Sequence, residues 1–532
     1  MKNIIYGIGT YQKDFQYVFR ELLVDYYIDD MEMKEDNVFP LEYVLEDSDY
    51  RIIVCKEDIP SACQRLNKLG LKQGLDYVLA EELFGELNGT YYKTENQIPD
   101  KLVVWGTGKV SHQFQWKFPQ KEIVAYIDSN YVGCVEHAGK TNTEQITIYN
   151  PKDIENWGDY FIVVAVNLSS EIVDFLEGKG LKRNKDFVTY NQITDTPAEM
   201  MKMVMEAPAK NYAFCSKPFE EAYIEVGGVT YLCCPYLLRD IEIGNLKESE
   251  FKEIWTSVKA RIIRLSVIKR NFCFCEEELC AHFSRALSGK VERIEKVVLE
   301  YPKKAMISFD DSCNLKCPSC RKEFRFNNSN KLKQEMAEIC AKKLKDVIPQ
   351  IEMVSISGNG DPFYCDTYRK LWKNPSKEKR KYIRFQTNGL LLNEDNMEQI
   401  INGYETVELY VSIDAATKET YEKVRCGGSF EVLQRNMQLA AEMRKKNKIK
   451  DFAISFVVQR ANYREMVDFV KMCFGFGVDH IEFWRLVDWG LYDSKEFERM
   501  SLYDNAGKIK PELAEILKDP IFQDERVNLN NL

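Results

Sequence analysis

Residues 305–321 read A-M-I-S-F-D-D-S-C-N-L-K-C-P-S-C-R. The apolar alternation from Met306 to Phe309 predicts a short strand, and the loop after it carries Cys313, Cys317 and Cys320 in the spacing C-x3-C-x2-C. Thiolates suit iron–sulfur clusters and zinc, and a structural metal site usually has four protein ligands. Three cysteines at one strand end therefore indicate a metal centre with one open position.

Six strand-then-helix units occupy residues 303–490. Their strands are predicted near 305–309, 352–357, 382–387, 406–413, 452–458 and 480–485. This order predicts a parallel α/β sheet whose functional loops follow the carboxyl ends of the strands. We expect a partial (β/α)6 TIM-like barrel, followed at 491–532 by a tail with a short helix and an extended end.

Short motifs follow the predicted strands in chain order. They are Gly358-Asn359-Gly360-Asp361-Pro362, Gln386-Thr387-Asn388-Gly389 and Val411-Ser412-Ile413-Asp414, with Tyr421 and Arg425 after the last. Together with the cysteine loop, this set resembles the radical S-adenosylmethionine (radical SAM) superfamily. The resemblance implies that Cys313, Cys317 and Cys320 bind three irons of a [4Fe–4S] cluster, whose fourth iron binds S-adenosylmethionine. The expected product of cofactor cleavage is a 5′-deoxyadenosyl radical that abstracts hydrogen from a substrate.

The same resemblance implies roles for the other motifs. The glycine-rich segment Gly358, Asn359, Gly360 and Asp361 would contact the cofactor's amino group. Asn388 and Ser412 would line its ribose, and Arg425 would pair with its carboxylate, since a guanidinium suits that task. Val458-Gln459 with Asn462, and Trp484-Arg485, would frame adenine and substrate. Ser319 departs from the family, which often has an aromatic residue there, and zinc remains the alternative for the cysteine loop.

A cysteine-rich unit at 211–290 precedes the predicted barrel. Cys215-x12-Gly228-x4-Cys233 resembles the opening of the SPASM domain, which binds auxiliary clusters in many radical SAM enzymes and usually follows the barrel. The second half offers only Cys273, Cys275 and Cys280, too few for two complete sites. We expect one auxiliary [4Fe–4S] cluster, bound by Cys215, Cys233, Cys275 and Cys280, with Cys234 and Cys273 as substitutes and a structural zinc ion as the alternative.

The first 195 residues contain a tandem repeat. Gly7 corresponds to Gly106 and Asp29 to Asp128, with the same offset in both pairs. We predict two Rossmann-like domains, at 1–95 and 100–195, that resemble those appended to sugar-modifying proteins. The third glycine of the dinucleotide fingerprint is absent, because Gln12 and Ser111 occupy that position. A docking or structural role therefore competes with ligand binding.

The overall composition limits the possible partners. Lys plus Arg is 73 against 83 for Asp plus Glu, a formal charge of −10, which argues against nucleic acid and anionic membrane. No apolar run is long enough to span a bilayer, and the start shows no signal-peptide pattern. Clustered cysteines favour metal over disulfides. We expect a cytoplasmic protein.

These observations predict a radical SAM oxidoreductase with one auxiliary cluster as electron acceptor or relay, and an electron donor such as flavodoxin or ferredoxin. The Rossmann-like pair favours a carbohydrate, nucleotide-sugar or polysaccharide precursor as substrate. The alternatives are a radical SAM/SPASM peptide maturase and a non-enzymatic iron–sulfur or zinc-binding protein.

Overall fold

The architecture comes from a computed structural model of residues 1–532. It describes all residues except 1, 20–21, 31–36, 42, 44–48, 57, 81, 84–97, 108–110, 112–113, 116–117, 129–132, 139–142, 167–169, 213, 240, 278–279, 281–282, 284–298, 321–330, 357, 375, 377, 488–493, 505–506 and 531. Within the described part, no helix has the length and apolar character needed to cross a membrane.

The first sheet is parallel throughout, in the order β3-β2-β1-β4-β5. Its strands are β1 (Lys2–Tyr6), β2 (Tyr26–Asp29), β3 (Val38–Pro40), β4 (Tyr50–Val54) and β5 (Tyr77–Leu79). Helices α1 (Thr10–Val18) and α2 (Ile59–Lys68) connect them. Apolar residues at helical spacing continue past α1 to Leu23, but the helix ends at Val18 and Leu23 is 83% exposed.

The second sheet repeats this order and adds one antiparallel strand, giving β11-β10-β6-β7-β9-β8. The strands are β6 (Lys101–Trp105), β7 (Glu122–Ile127), β8 (Gly133–Ala138), β9 (Thr143–Tyr149), β10 (Ile162–Val164) and β11 (Phe187–Thr189). Its helices are α3 (Ser170–Gly178) and α4 (Tyr190–Thr194). The internal repeat is therefore visible in the strand order, while the Rossmann interpretation of both units stays a prediction.

The segment after residue 195 forms a helix, α5 (Pro197–Glu206), that is capped by Thr196 and packs on the helix Val258–Ile268. Met200 and Met201 are buried, in keeping with a packing role for these methionines. The cysteine-rich unit contains helices α6 (Lys217–Glu220), α7 (Phe251–Trp255) and α8 (Val258–Ile268). Helix α1 also packs on α8, so the first unit is docked against the cysteine-rich one.

The third sheet has ten strands in the order β14-β13-β12-β15-β16-β17-β18-β19-β20-β21. They are β12 (Glu221–Ile224), β13 (Val229–Tyr231), β14 (Gly244–Asn245), β15 (Lys304–Ile307), β16 (Met353–Ile356), β17 (Arg380–Thr387), β18 (Tyr404–Ser412), β19 (Asp451–Val458), β20 (His480–Arg485) and β21 (Val527–Asn528). All six predicted strands are present and parallel. The six predicted strands are those of residues 303–490, and β12 and β21, which lie outside this range, pair in parallel at the two ends of the set.

Helices cover one face of this third sheet. They are α9 (Lys331–Leu344), α10 (Asp366–Trp372), α11 (Glu394–Gly403), α12 (Lys418–Val424), α13 (Phe430–Lys445), α14 (Met466–Phe476), α15 (Ser494–Met500) and α16 (Pro511–Ile516). Side chains alternate along each strand, so Ile383 and Phe385 lie in the core while Tyr382 and Arg384 lie on the opposite face. Cys340 and Cys473 are fully buried core residues.

Candidate functional site

The loop of Cys313, Cys317 and Cys320 begins six residues after β15, at the carboxyl edge of the parallel strands. Its backbone is held by buried groups. The Tyr368 hydroxyl donates to the Asp310 carbonyl at 2.9 Å and accepts from the Asp310 N–H at 2.7 Å. The Asp361 N–H donates to the Ser312 carbonyl at 2.9 Å. The loop is therefore fixed before any ligand binds.

Two polar side chains contact the cysteine sulfurs, Asn388 directly after β17 and Arg425 directly after α12. The Asn388 amide nitrogen lies 3.8 Å from Cys313 Sγ, and Arg425 Nη1 lies 3.7 Å from Cys317 Sγ. Burial raises the pKa of the Cys317 thiol to about 12, although the Arg425 charge opposes this shift. Cys313 is half-buried and Cys320 is exposed. The structure thus brings together three of the predicted strand-end motifs around one set of thiols.

The glycine-rich segment packs directly on the cysteine loop. A Cβ at Gly360 would lie 2.5 Å from the Asp310 carbonyl oxygen and 2.6 Å from that of Ser312. Gly358 has φ +99°, and a Cβ there would lie 2.6 Å from Ser308 Oγ. Side chains are excluded at both positions, so this segment braces the cysteine loop by backbone contact.

Asp361 points into the protein instead of toward the strand edge. It is 1% exposed. Its carboxylate accepts from Thr387 Oγ1 at 2.7 Å and from the Asn388 N–H at 3.0 Å, and also from the backbone of Phe363 and Tyr364. Its observed contacts join two strand-end loops, and a direct contact with the cofactor stays a prediction.

Arg425 forms a buried ion pair that the sequence did not predict. Its Nη2 lies 2.8 Å from Asp414 Oδ2, and Asp414 is fully buried at the end of β18. Attraction by Asp414 raises the pKa of the Arg425 guanidinium. Nearby, Ser455 Oγ donates to Ser412 Oγ at 3.1 Å. The Arg425 guanidinium is therefore shared between a carboxylate and the sulfur of Cys317.

Two buried donors at these strand ends have no hydrogen-bond acceptor among the described residues. They are Nε of Arg425 and Nε2 of Gln459, the latter on a side chain that is 2% exposed. An unpaired buried donor costs about 1–3 kcal/mol and indicates a missing partner. Sulfides of a cluster and the carboxylate or ring nitrogens of S-adenosylmethionine are acceptors of the required kind. The residues therefore fit this cofactor pair.

The cysteine-rich unit gathers a second set of thiols. Burial is the main cause that raises the pKa of the Cys275 thiol, and the neighbouring thiols of Cys215, Cys233, Cys280 and Cys273 raise it further. Burial likewise raises the pKa of Cys233 to about 12. This group includes the four residues predicted as auxiliary ligands and the predicted substitute Cys273, so the choice among them stays a prediction. Within the part of the chain that the structure describes, no group of three or more His, Cys, Asp or Glu side chains has a geometry suited to one metal ion.

The two cysteine sets lie at opposite ends of adjacent strands. Strand β12 pairs in parallel with β15, Glu221 opposite Lys304 and Ile224 opposite Ile307. Cys215 precedes β12, and antiparallel β13 returns the chain so that Cys233 follows at the same edge. The first set instead follows the carboxyl end of β15. At about 3.3 Å per residue, four residues of strand alone separate the sets by roughly 13 Å.

Glu225 was missed by sequence analysis. It follows β12 and brings the cysteine-rich unit to the same sheet edge as the glycine-rich segment, where its Oε2 accepts from the Asn359 amide at 3.0 Å. Burial raises the pKa of Glu225 to about 7. The available signal was an acidic residue directly after an alternating strand, but its partner strand could not be assigned from the sequence.

The acidic end of β2 in the first unit is bonded to other groups of the protein. Asp29 accepts from the Ile8 N–H at 3.0 Å, and Lys56 Nζ lies 3.1 Å from its carboxylate. Lys56 also pairs with Asp30 at 2.7 Å. The carboxylate that could accept from a ribose is therefore already bonded to groups of this chain.

Comparison with known proteins identifies two domains. Residues 307–473 match the radical SAM superfamily, and residues 215–281 match SPASM, an iron–sulfur cluster-binding domain. The SPASM domain precedes the radical SAM domain, as the sequence predicted. Radical SAM domains bind a [4Fe–4S] cluster and S-adenosylmethionine, SPASM domains bind auxiliary iron–sulfur clusters, and radical SAM proteins are enzymes.

Curated relatives cover only part of the chain. A probable GTP 3′,8-cyclase of Methanococcus maripaludis is 31% identical over 139 residues, which are 26% of this chain and 45% of the relative. The mycofactocin maturase MftC of Mycobacterium ulcerans is 25% identical over 170 residues, 31% of this chain and 42% of the relative. The chain thus spans less than half the length of these two relatives. Among solved structures, Streptococcus suis SuiB bound to precursor peptide SuiA is 19% identical with a TM-score of 0.31, covering 43% of this chain and 48% of SuiB.

Proposed function

We propose that this protein is a radical SAM enzyme that abstracts a hydrogen atom from a peptide at the carboxyl edge of the third sheet. The observation that carries the proposal is the contact of Asn388 with Cys313 and of Arg425 with Cys317. These contacts join the loop after β15, the end of β17 and the end of α12 around the thiols that the family uses for its cluster.

The cluster and S-adenosylmethionine, when bound, supply one-electron cleavage of a carbon–sulfur bond. The residues of the chain position and tune them. Asn388 and Arg425 donate N–H groups to the ligand sulfurs, and such bonds affect the reduction potential of an iron–sulfur cluster. Arg425 Nε and Gln459 Nε2 remain available for acceptors of the cofactor. Asp414 keeps the guanidinium charged and oriented.

The peptide is favoured over a carbohydrate by two observations. One relative with the same domain type is named as a maturase, and the chain combines radical SAM with SPASM. The carbohydrate hypothesis depended on the first two units, but Asp29 is already occupied by Ile8 and Lys56. We therefore adopt the peptide maturase alternative as the working hypothesis, and propose a docking role for the N-terminal units.

We further propose that Cys215, Cys233, Cys275 and Cys280 bind one auxiliary cluster. Its place at the amino edge of the sheet suits electron exchange over a distance with the site at the carboxyl edge, or with a donor such as flavodoxin or ferredoxin. Direct contact with a peptide bound at the carboxyl edge does not fit that position.

The test is anaerobic reconstitution with iron and sulfide, followed by S-adenosylmethionine and dithionite. We expect about eight irons per chain and formation of 5′-deoxyadenosine. Adding candidate precursor peptides encoded beside the gene should then give a peptide with an altered mass. Bound zinc with no deoxyadenosine contradicts the enzyme, while deoxyadenosine without any peptide product contradicts only the substrate class.

A further inference from the structure

Glu225 follows β12, a strand of the SPASM domain that pairs in parallel with β15, which leads into the radical SAM domain. Its backbone is extended, with φ −95° and ψ 177°. The Glu225 N–H donates to the Val229 carbonyl at 2.8 Å. On the other side, the Ser308 N–H donates to the Ile224 carbonyl at 2.7 Å. Glu225 is therefore fixed at the sheet edge, beside the start of the cysteine loop.

The carboxylate of Glu225 is held on one side only. Its Oε2 accepts from the Asn359 side-chain amide at 3.0 Å, and the same amide nitrogen lies 3.4 Å from the Ser308 carbonyl oxygen. Among the described residues, Oε1 has no hydrogen-bond partner and no Lys, Arg or His lies within ion-pairing distance of the carboxylate. Burial raises the pKa of Glu225 to about 7, and the Asn359 hydrogen bond opposes this shift. This half-buried carboxylate thus lacks a cation within the described chain.

A carboxylate removed from water without a cation is costly, and a charged N–H donor stabilises it strongly. S-adenosylmethionine carries a primary ammonium group and a carboxylate on its amino-acid part, while its sulfonium has no hydrogen to donate. Arg425 contacts Cys317 of the cysteine loop and has Nε open for that carboxylate. The segment that contains Asn359 packs on the same loop. Both charged groups of the amino-acid part therefore have a counter-charge around this loop.

We propose that Glu225 binds the α-ammonium group of S-adenosylmethionine, so that the SPASM and radical SAM domains bind the cofactor jointly. This inference rests on the proposed function, in which the cofactor is cleaved at this sheet edge, and adds to it a cofactor-binding residue outside the radical SAM domain. The amino-acid part of the cofactor is then oriented correctly only while β12 is paired with β15. Cofactor binding and docking of the SPASM domain consequently stabilise each other.

The test measures the binding of three uncleaved cofactor analogues to the reconstituted protein by calorimetry. They are S-adenosylhomocysteine, its deamino form and its decarboxy form, used at pH 8 because the pKa of Glu225 is about 7. We expect S-adenosylhomocysteine to bind at least about tenfold more tightly than the deamino form. In Glu225→Gln this ratio should fall below about threefold, because glutamine keeps an acceptor for Asn359 but not the charge. The decarboxy form retains the ammonium group and should also lose affinity in this variant, while the deamino form should not.

The matched control is Glu221→Gln, which removes the same charge from the same strand, where Glu221 lies 3.5 Å from Lys304. It should keep the ratio, and the thermal unfolding of all variants is compared to show that they fold. Four results overturn the inference: equal binding of S-adenosylhomocysteine and its deamino form by wild type, no saturable binding up to about 1 mM, an unchanged ratio in Glu225→Gln, or an equal loss in Glu221→Gln. Because these analogues report binding alone, a failure to form deoxyadenosine or a modified peptide contradicts the proposed function and not this site.

Discussion

The side-chain amide of Asn359 donates a hydrogen bond to the carboxylate of Glu225 across 3.0 Å. The two residues are far apart in the chain, one after β12 of the cysteine-rich unit and the other in the glycine-rich segment after β16. They meet because β12 joins the parallel sheet beside β15. The auxiliary-cluster domain is thereby part of the wall of the radical SAM site, although its cysteines lie at the other end of the strands.

Glu225 should make stability depend on pH. Burial raises its folded pKa to about 7 from 4.5, so the folded state binds the extra proton. The contribution of Glu225 to the free energy of unfolding is fully present below pH 4.5 and is lost as the pH rises through 7. The free energy of unfolding of Glu225→Gln should therefore equal that of wild type near pH 5. At pH 8 it should be higher than that of wild type, by up to about 3 kcal/mol. Denaturant unfolding of both proteins at the two pH values measures this, and a pH-independent difference contradicts it.

Gly360→Ala should displace the cysteine loop. The new Cβ would lie 2.5 Å and 2.6 Å from two backbone oxygens that cannot rotate away. We expect a loss of stability of about 1–3 kcal/mol or more, and less iron bound after reconstitution. Gly475→Ala is the control, because it lies in α14 with nothing within 4 Å of its Cβ, and it should stabilise by up to about 1 kcal/mol.

Asp414→Asn should be severely destabilising, because it leaves the Arg425 charge buried without its carboxylate. The expected cost in the free energy of unfolding is about 3–5 kcal/mol. The surface pair Arg460 and Glu512 has the same 2.8 Å separation, yet Glu512→Gln should cost under about 1 kcal/mol. Similar losses in the two variants would show that burial of the Asp414 pair is not decisive.

Cys317→Ala should abolish deoxyadenosine formation while about four irons per chain remain in the auxiliary site. Cys275→Ala should instead lose the auxiliary iron and keep the iron bound by the first cysteine set, since its thiol lies among the second set. Cys63→Ala changes a thiol outside both sets and should retain iron and cleavage. Iron analysis, electron paramagnetic resonance and product chromatography measure these outcomes, and persistent cleavage in Cys317→Ala contradicts the assignment of the first set.

Local sequence patterns predicted much of the chain because they report local chemistry. The period-two strands of 303–490, the cysteine spacings and the repeated glycine turn are all properties of short segments. The predicted ends were less accurate where burial decides them, as at Leu23, whose apolar side chain fits the helical pattern but finds no core to enter.

The sequence by itself predicted which residues carry the chemistry: two separate cysteine sets, the glycine-rich segment and the strand-end polar residues, since ligand type and spacing are set by adjacent positions. Only the tertiary structure decided how these parts face one another. The pairing of β12 with β15 and of β21 with β20 depends on hydrogen bonds between residues distant in the chain. The pairing of β12 with β15 places the cysteine sets at opposite sheet edges and brings Glu225 to Asn359. Arg425 meets Asp414 because the chain after α12 returns to the end of β18. No local sequence pattern connects these segments.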